Sequence, residues 1–187
     1  MTQFNFHTVD TAPVKSKALL EGAKKAYGFI PNLYAGQAEA PTLLEGYLSL
    51  AKTFDKTALS ATERQIILIA NNRLNGCNYC VAAHTTIARG AGVPGDVLEA
   101  LRNGSKIADP KLEALHQFAV RINESRGWVE QDDLDALFAV GYTKQTALEV
   151  IVGTALKVMS TYTNHLLHTP VDDAFKSDAW TAPDAQA

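Results

Sequence analysis

The sequence holds two cysteines, Cys77 and Cys80, with two residues between them, and His84 follows four residues after the second. On a helix, at about 100° per residue, these spacings place all three side chains on one face. Those residue types in that register suit redox chemistry at sulfur. A thiolate is what attacks a peroxide or a disulfide, and a free thiol with a pKa of about 8.5 is mostly protonated at neutral pH. Two features lower it here: the positive end of a helix dipole near Cys77, and an imidazole one turn from Cys80 able to accept or share the proton. A second thiol three residues away traps a sulfenic acid as a disulfide and so prevents over-oxidation. One helical turn keeps the two Cα atoms within the roughly 7 Å that a bridge requires. The dipole favours Cys77 as the attacking thiol, whereas the spacing to His84 favours Cys80.

Other residues have a chemical and a plain structural reading. Glu63 is placed to orient His84 and keep it basic. Equally, it stands three residues after Ser60, where Ser-x-x-Glu forms a capping box at a helix start. Tyr79, between the thiols, offers a hydrogen bond or a packing surface. The thiol pair with His165 and His168 would make four zinc ligands, and a buried pair could simply fill core space. A c-type haem is disfavoured because Val81 follows Cys80. No G-x-G-x-x-G or G-x-x-x-x-G-K-[ST] run is present, so no cofactor and no metal is assigned.

These residues need helices to position them, and the sequence punctuation predicts a series of helices. Pro13 opens a segment with Leu19, Leu20, Ala23 and Tyr27 in register, closed by Gly28. Pro41 opens a second, and Ser60–Glu63 caps a third through Ile66, Ile69 and Leu74. A fourth starts at or near Cys77 and stops at Gly90–Gly92. Helices follow over 94–102, from Pro110 through Ile122, over 131–140, and from Thr143 through Leu148, Ile151, Ala155 and Val158 to about His168. Strand-like alternation is confined to a weak signal at Asn5–Val9. The expectation is one all-α domain over residues 1–172, with its core motif in 60–92 and a loosely ordered tail at 173–187, rich in Ala, Asp and Pro.

Composition narrows the function classes. At 187 residues and 47% hydrophobic, the chain fits one globular domain. A formal charge of −3 leaves no basic footprint for nucleic acid. No apolar run reaches the roughly 18 residues of a membrane span, and the first ten residues lack the apolar stretch of a signal peptide. Two cysteines are too few for a disulfide-stapled secreted scaffold, so the expected compartment is a reducing cytoplasm.

The stretch N-G-C-x-Y-C-x-x-x-H at 75–84 resembles the alkylhydroperoxidase AhpD-like branch of the carboxymuconolactone decarboxylase family, in its peroxidase-related group. Segments 28–34, 41–47 and 164–172 have the same look. The resemblance implies an all-α helical bundle that forms homo-oligomers, commonly trimers or hexamers. It also implies hydroperoxide reduction as antioxidant defence, with an external thiol or disulfide electron donor. By position, Cys80 would attack the peroxide, Cys77 would resolve the product, and His84 would relay the proton with a glutamate behind it. Here the sequence departs from the pattern. The position twelve residues before the first cysteine, where the family has its glutamate, is Gln65, and Glu63 stands two residues earlier. The pattern's histidine before the second cysteine is Tyr79. Other activities on this scaffold are a non-peroxidatic dithiol–disulfide oxidoreductase or redox sensor, a decarboxylase like the family's name-giving members, and a structural or zinc-binding module.

Overall fold

Some helix starts fall where a side chain takes up amide protons that have no partner within the helix, and others fall at or beside a proline. The computed structural model describes residues 4–183. Among them run α1 (Val14–Tyr27), α2 (Asn32–Gln37), α3 (Pro41–Phe54), α4 (Ala61–Leu74), α5 (Asn78–Gly90), α6 (Gly95–Asn103), α7 (Pro110–Glu124), α8 (Gln131–Ala139) and α9 (Lys144–Leu167). A 3₁₀ segment, Asp173–Asp178, follows. Ser60 and Glu63 form a reciprocal capping box at α4, and Thr143 with Thr146 does the same at α9. Asp109 caps α7 by accepting from the amides of Lys111 and Leu112. Gly28 closes α1 with φ at 81°, a left-handed conformation that glycine adopts without steric cost.

Every residue from Ile66 to Asn72 on α4 is buried, because α5, α6, α7 and α9 all pack against that helix. The α4–α9 crossing is close enough that only glycine fits at one point. A Cβ on Gly153 would lie 2.7 Å from Ile67 Cγ2 and 2.9 Å from the Phe54 ring. One turn further along the same face of α9 comes Lys157, which is 1% exposed.

The faces of α9 are inverted relative to its composition. Its buried residues include Gly153, Lys157, Ser160, Thr161 and Asn164. Apolar Leu148, Ile151, Tyr162 and Leu166 are exposed, while Val150 and Leu156 are the apolar residues on the buried side. At about 100° per residue the two sets lie on opposite sides of the helix.

The described residues are all-helical, as expected, with one short helix the sequence did not announce and one correction at the C-terminal segment. Among the described residues there is no strand: residues 4–8 carry no regular structure, Val9 lies in a turn, and the His7 amide makes one hydrogen bond to the Ala35 carbonyl at 3.0 Å. Helix α2 is six residues long, too short to show periodicity. The tail at 173–183 is held rather than loose. Phe175 packs its ring edge against Tyr79, with centroids 6.2 Å apart, and the Asp178 carboxylate accepts from Arg89 at 2.7 Å and Thr86 at 2.9 Å. Trp180 Nε1 donates to the Arg102 carbonyl, and the Ala182 amide to Asn78 Oδ1. This segment therefore lies along α5 from its first turn to its last. The remainder of the expected tail, 184–187, and residues 1–3 lie outside the described residues.

Candidate functional site

Cys77 is the N-cap of α5, the helix expected to start at or near it. Its Sγ accepts the Cys80 amide proton at 3.3 Å, filling the place usually taken by a Ser or Asp oxygen. Cys80 and His84 follow on the same face, and both thiols are buried and free. A cavity of about 200 Å³ opens onto Cys80, His84, Gln65 and Lys157. Its walls are Tyr27, Tyr34, Tyr47, Phe54, Tyr79, Phe175 and aliphatic side chains. Cys77 is not among the lining residues, so the two sulfurs have unequal access.

His84 has both ring nitrogens engaged. Nδ1 stands 3.0 Å from Gln65 Oε1, and Nε2 stands 2.7 Å from Lys157 Nζ. The amide oxygen only accepts and the ammonium only donates, so the proton of a neutral ring sits on Nδ1. Burial, and then the Lys157 charge, hold His84 well below its ordinary pKa and keep it neutral. Burial also lowers Lys157, against which the Cys80 and Cys77 charges pull it up.

Asn164 reaches the thiols from α9. Its Nδ2 lies 3.1 Å from Cys80 Sγ and 3.7 Å from Cys77 Sγ. Ser160 Oγ is 4.0 Å from Cys80 Sγ. Burial works to raise the Cys80 thiol. Against it act the hydrogen bond from the Cys77 thiol, the Lys157 charge, and the Asn164 and Ser160 side chains, which together bring Cys80 down to about 7. Cys77 is pushed up by the hydrogen bond it shares with Cys80, by burial, and by the charge of its neighbour. The shifts run in opposite directions, down at Cys80 and up at Cys77, so Cys80 is the more readily ionised of the two. The dipole favoured Cys77, but that sulfur serves as the cap, whereas the Lys157 charge and the donating Asn164 amide favour the anion on Cys80.

Glu63 does not join this group. Its Oε2 accepts from the Ser60 amide at 2.8 Å and its Oε1 from Tyr142 Oη at 2.8 Å, so its carboxylate is taken up at the start of α4. The expectation that Glu63 orients His84 is corrected: Gln65, half a turn further on, makes that contact. Tyr79 Oη donates to Asp172 at 2.6 Å and accepts from the Leu33 amide, so its polar end ties α2 to the end of the chain while its ring walls the cavity. Among the described residues no three His, Cys, Asp or Glu side chains gather in a metal-holding group. No helix there is long and apolar enough to cross a membrane.

Lys157 and Asn164 were not found from the sequence, because they lie 73 and 84 residues from their partners His84 and Cys80. A signal does exist. Gly153, Lys157, Ser160 and Asn164 recur at helical spacing opposite the apolar stripe, and a lone lysine on such a small, polar face marks a buried charge that needs a partner.

The model of the carboxymuconolactone decarboxylase family matches residues 38–119, which include the whole thiol–imidazole motif. No curated protein matches the chain. Solved structures share its fold at low identity. The alkylhydroperoxidase AhpD core structure of an uncharacterized peroxidase-related protein from Ralstonia eutropha JMP134 is 21% identical, covering 92% of this chain and 93% of its own, with a TM-score of 0.83. An uncharacterized peroxidase-related protein from Silicibacter sp. TM1040 is 18% identical over 94% and 97%, with a TM-score of 0.78. The debrominase Bmp8, as its C82A variant in complex with 2,3,4-tribromopyrrole, is 19% identical over 95% of each chain, with a TM-score of 0.77. Residues 38–119 thus match the model of the carboxymuconolactone decarboxylase family, and the chain shares the all-helical fold of the AhpD-core and peroxidase-related structures.

Proposed function

We propose that the protein is a thiol-dependent hydroperoxide reductase of the AhpD-like kind, acting in antioxidant defence. The observation that carries this reading is the unequal access of the two sulfurs. Cys80 lines the cavity beside a cation, and Cys77 stands behind it within the same hydrogen-bonded group. Cys80 thiolate attacks the peroxide oxygen and becomes a sulfenic acid. The Cys77 thiol then displaces water from it, closing a disulfide. The two thiols supply the two electrons, and the products are an alcohol and water. An external thiol donor, itself oxidised to a disulfide, must reopen the Cys77–Cys80 disulfide, which fits a reducing, cytoplasmic compartment. The largely apolar walls favour an organic hydroperoxide over hydrogen peroxide.

Thiol titration with cumene hydroperoxide tests this. One equivalent should remove both thiols of the wild type. Cys80→Ser should consume none, and Cys77→Ser should stop after a single turnover with Cys80 over-oxidised. Peroxide consumption by Cys80→Ser at the wild-type rate would overturn the reading.

The ring-lined walls favour a second reading, in line with the debrominase among the similar structures. The same dithiol would replace an aryl C–Br bond with C–H, releasing bromide and forming the disulfide. Bromide release from a bromopyrrole, with no peroxide turnover, would select it.

The exposed apolar stripe of α9 supports self-association into a homo-oligomer, and an apolar groove between α2, α3 and α9 adjoins it. A trimer or hexamer is the proposed assembly.

A further inference from the structure

We propose that Lys157, rather than His84, is the proton-holding acid of this site: it pairs as an ammonium with the Cys80 thiolate and protonates the oxygen that leaves when the peroxide bond breaks. This rests on the peroxide reading above and assigns its acid. The geometry leaves His84 little to give. Its one ring proton is directed at Gln65 Oε1, and its free lone pair is occupied by Lys157 Nζ at 2.7 Å. An imidazole held so can neither take the thiol proton nor pass one on without breaking a contact. Lys157 is different. It is 1% exposed, it faces the same cavity as Cys80, and its ammonium has hydrogens beyond the one donated to His84. A buried ammonium needs a counter-charge. The titratable groups around it are Cys77, Cys80, Tyr79 and His84 of the α5 segment, Tyr27 on α1, Tyr34 on α2, Tyr47 on α3 and the cavity-lining Asp55, with Gln65 of α4 uncharged. Asp55 is exposed and lies within 3.8 Å of Arg64, so the Cys80 sulfur is the anion for Lys157. His84 and Gln65 become positioning residues, with Gln65 fixing the ring tautomer and Nε2 aiming the ammonium.

The steps balance. Cys80 sulfur bonds to the distal oxygen of ROOH and the O–O bond breaks. RO⁻ takes a proton from Lys157 to leave as the alcohol, which gives Cys80–SOH and a neutral amine. Cys77 sulfur then bonds to Cys80 sulfur. The Cys77 proton passes by way of the amine to the departing hydroxide, and water leaves. The oxidised state holds a disulfide and an uncharged Lys157.

The test compares leaving groups. An alkoxide must be protonated as it departs, whereas the carboxylate of a peracid need not be. Lys157→Met, which keeps length and volume without charge, should slow the reaction with tert-butyl hydroperoxide by about a hundredfold or more. It should slow the reaction with peracetic acid far less, and raise the pH midpoint of Cys80 alkylation by iodoacetamide by about one unit or more. Lys157→Arg should keep the low midpoint yet lose the alkyl hydroperoxide rate, because a guanidinium does not release its proton. The arginine variant also answers the question if the methionine variant fails to fold. Equal slowing of the two peroxides, or an alkylation midpoint unmoved in Lys157→Met, would overturn the assignment. A wild type inert to both peroxides removes the peroxide reading and the acid role with it. In that case a midpoint that still moves in Lys157→Met separates the ion pair from the failed reaction.

Discussion

Gln65 shows how one atom can set the character of a site. A carboxylate there would accept the same Nδ1 proton, but its charge would stabilise an imidazolium; an amide oxygen orients the ring and leaves it neutral. Gln65→Glu should therefore raise the His84 pKa by about one to three units, the usual effect of an opposite charge in contact. The sign follows from the neutral state of the wild-type ring, which burial and Lys157 maintain. An NMR titration should find wild-type His84 neutral across the physiological range and the variant partly charged there. An unchanged titration would show that Gln65 does not set the ring's charge. Cys77, Cys80 and His84 were legible in the sequence because their relation is local, fixed by helical spacing alone. Gln65 was visible only as a departure from a family pattern. The identity of His84's partner depends on which turn of α4 faces α5, and sequence spacing within α5 cannot supply that.

The two helices that meet at the site are held by the α4–α9 crossing, where Gly153 lets Ile67 and Phe54 approach the α9 backbone. Because Lys157 lies one turn beyond that contact, separation of the helices would displace its ammonium as well. Gly153→Ala should cost about 1–3 kcal/mol from overpacking, read as a lower denaturation midpoint. It should also raise the pH at which Cys80 is alkylated. A destabilised variant with an unmoved alkylation midpoint would show that the crossing does not position Lys157. Most helix boundaries were readable from caps and breakers, since Ser60, Asp109, Thr143 and Gly28 act through neighbours in sequence. The short α2 and the C-terminal segment were not, because neither spans enough turns to show a period. What holds the latter is distant: burial alone would raise the Asp178 carboxyl, but Arg89, Thr86 and Arg102 more than offset it and keep the group ionised. A composition of Ala, Asp and Pro gives no hint of those partners.

Across the molecule, the inverted faces of α9 separate two roles. The apolar residues that announce the helix in the sequence point outward, and the buried side carries Lys157, Ser160 and Asn164. Periodicity reports that a helix has two faces, but which face is inward is settled by what the rest of the chain offers it. Here α5 offers two thiols and an imidazole and α4 an amide, so the polar face turns in. The outward stripe is the proposed contact between copies. Leu166→Asp, at a position 65% exposed in a single chain, should leave the fold intact and reduce the assembled mass, measured by sedimentation. An unchanged mass would place the contact elsewhere. One rod of backbone thus carries the site's lysine on one side and the proposed subunit contact on the other, about 10 Å across with its side chains. In the proposed assembly the neighbouring copy would brace that helix further. Specific activity should then fall on dilution, as subunits part and the lysine loses its fixed aim, so that a rate per molecule becomes a gauge of assembly.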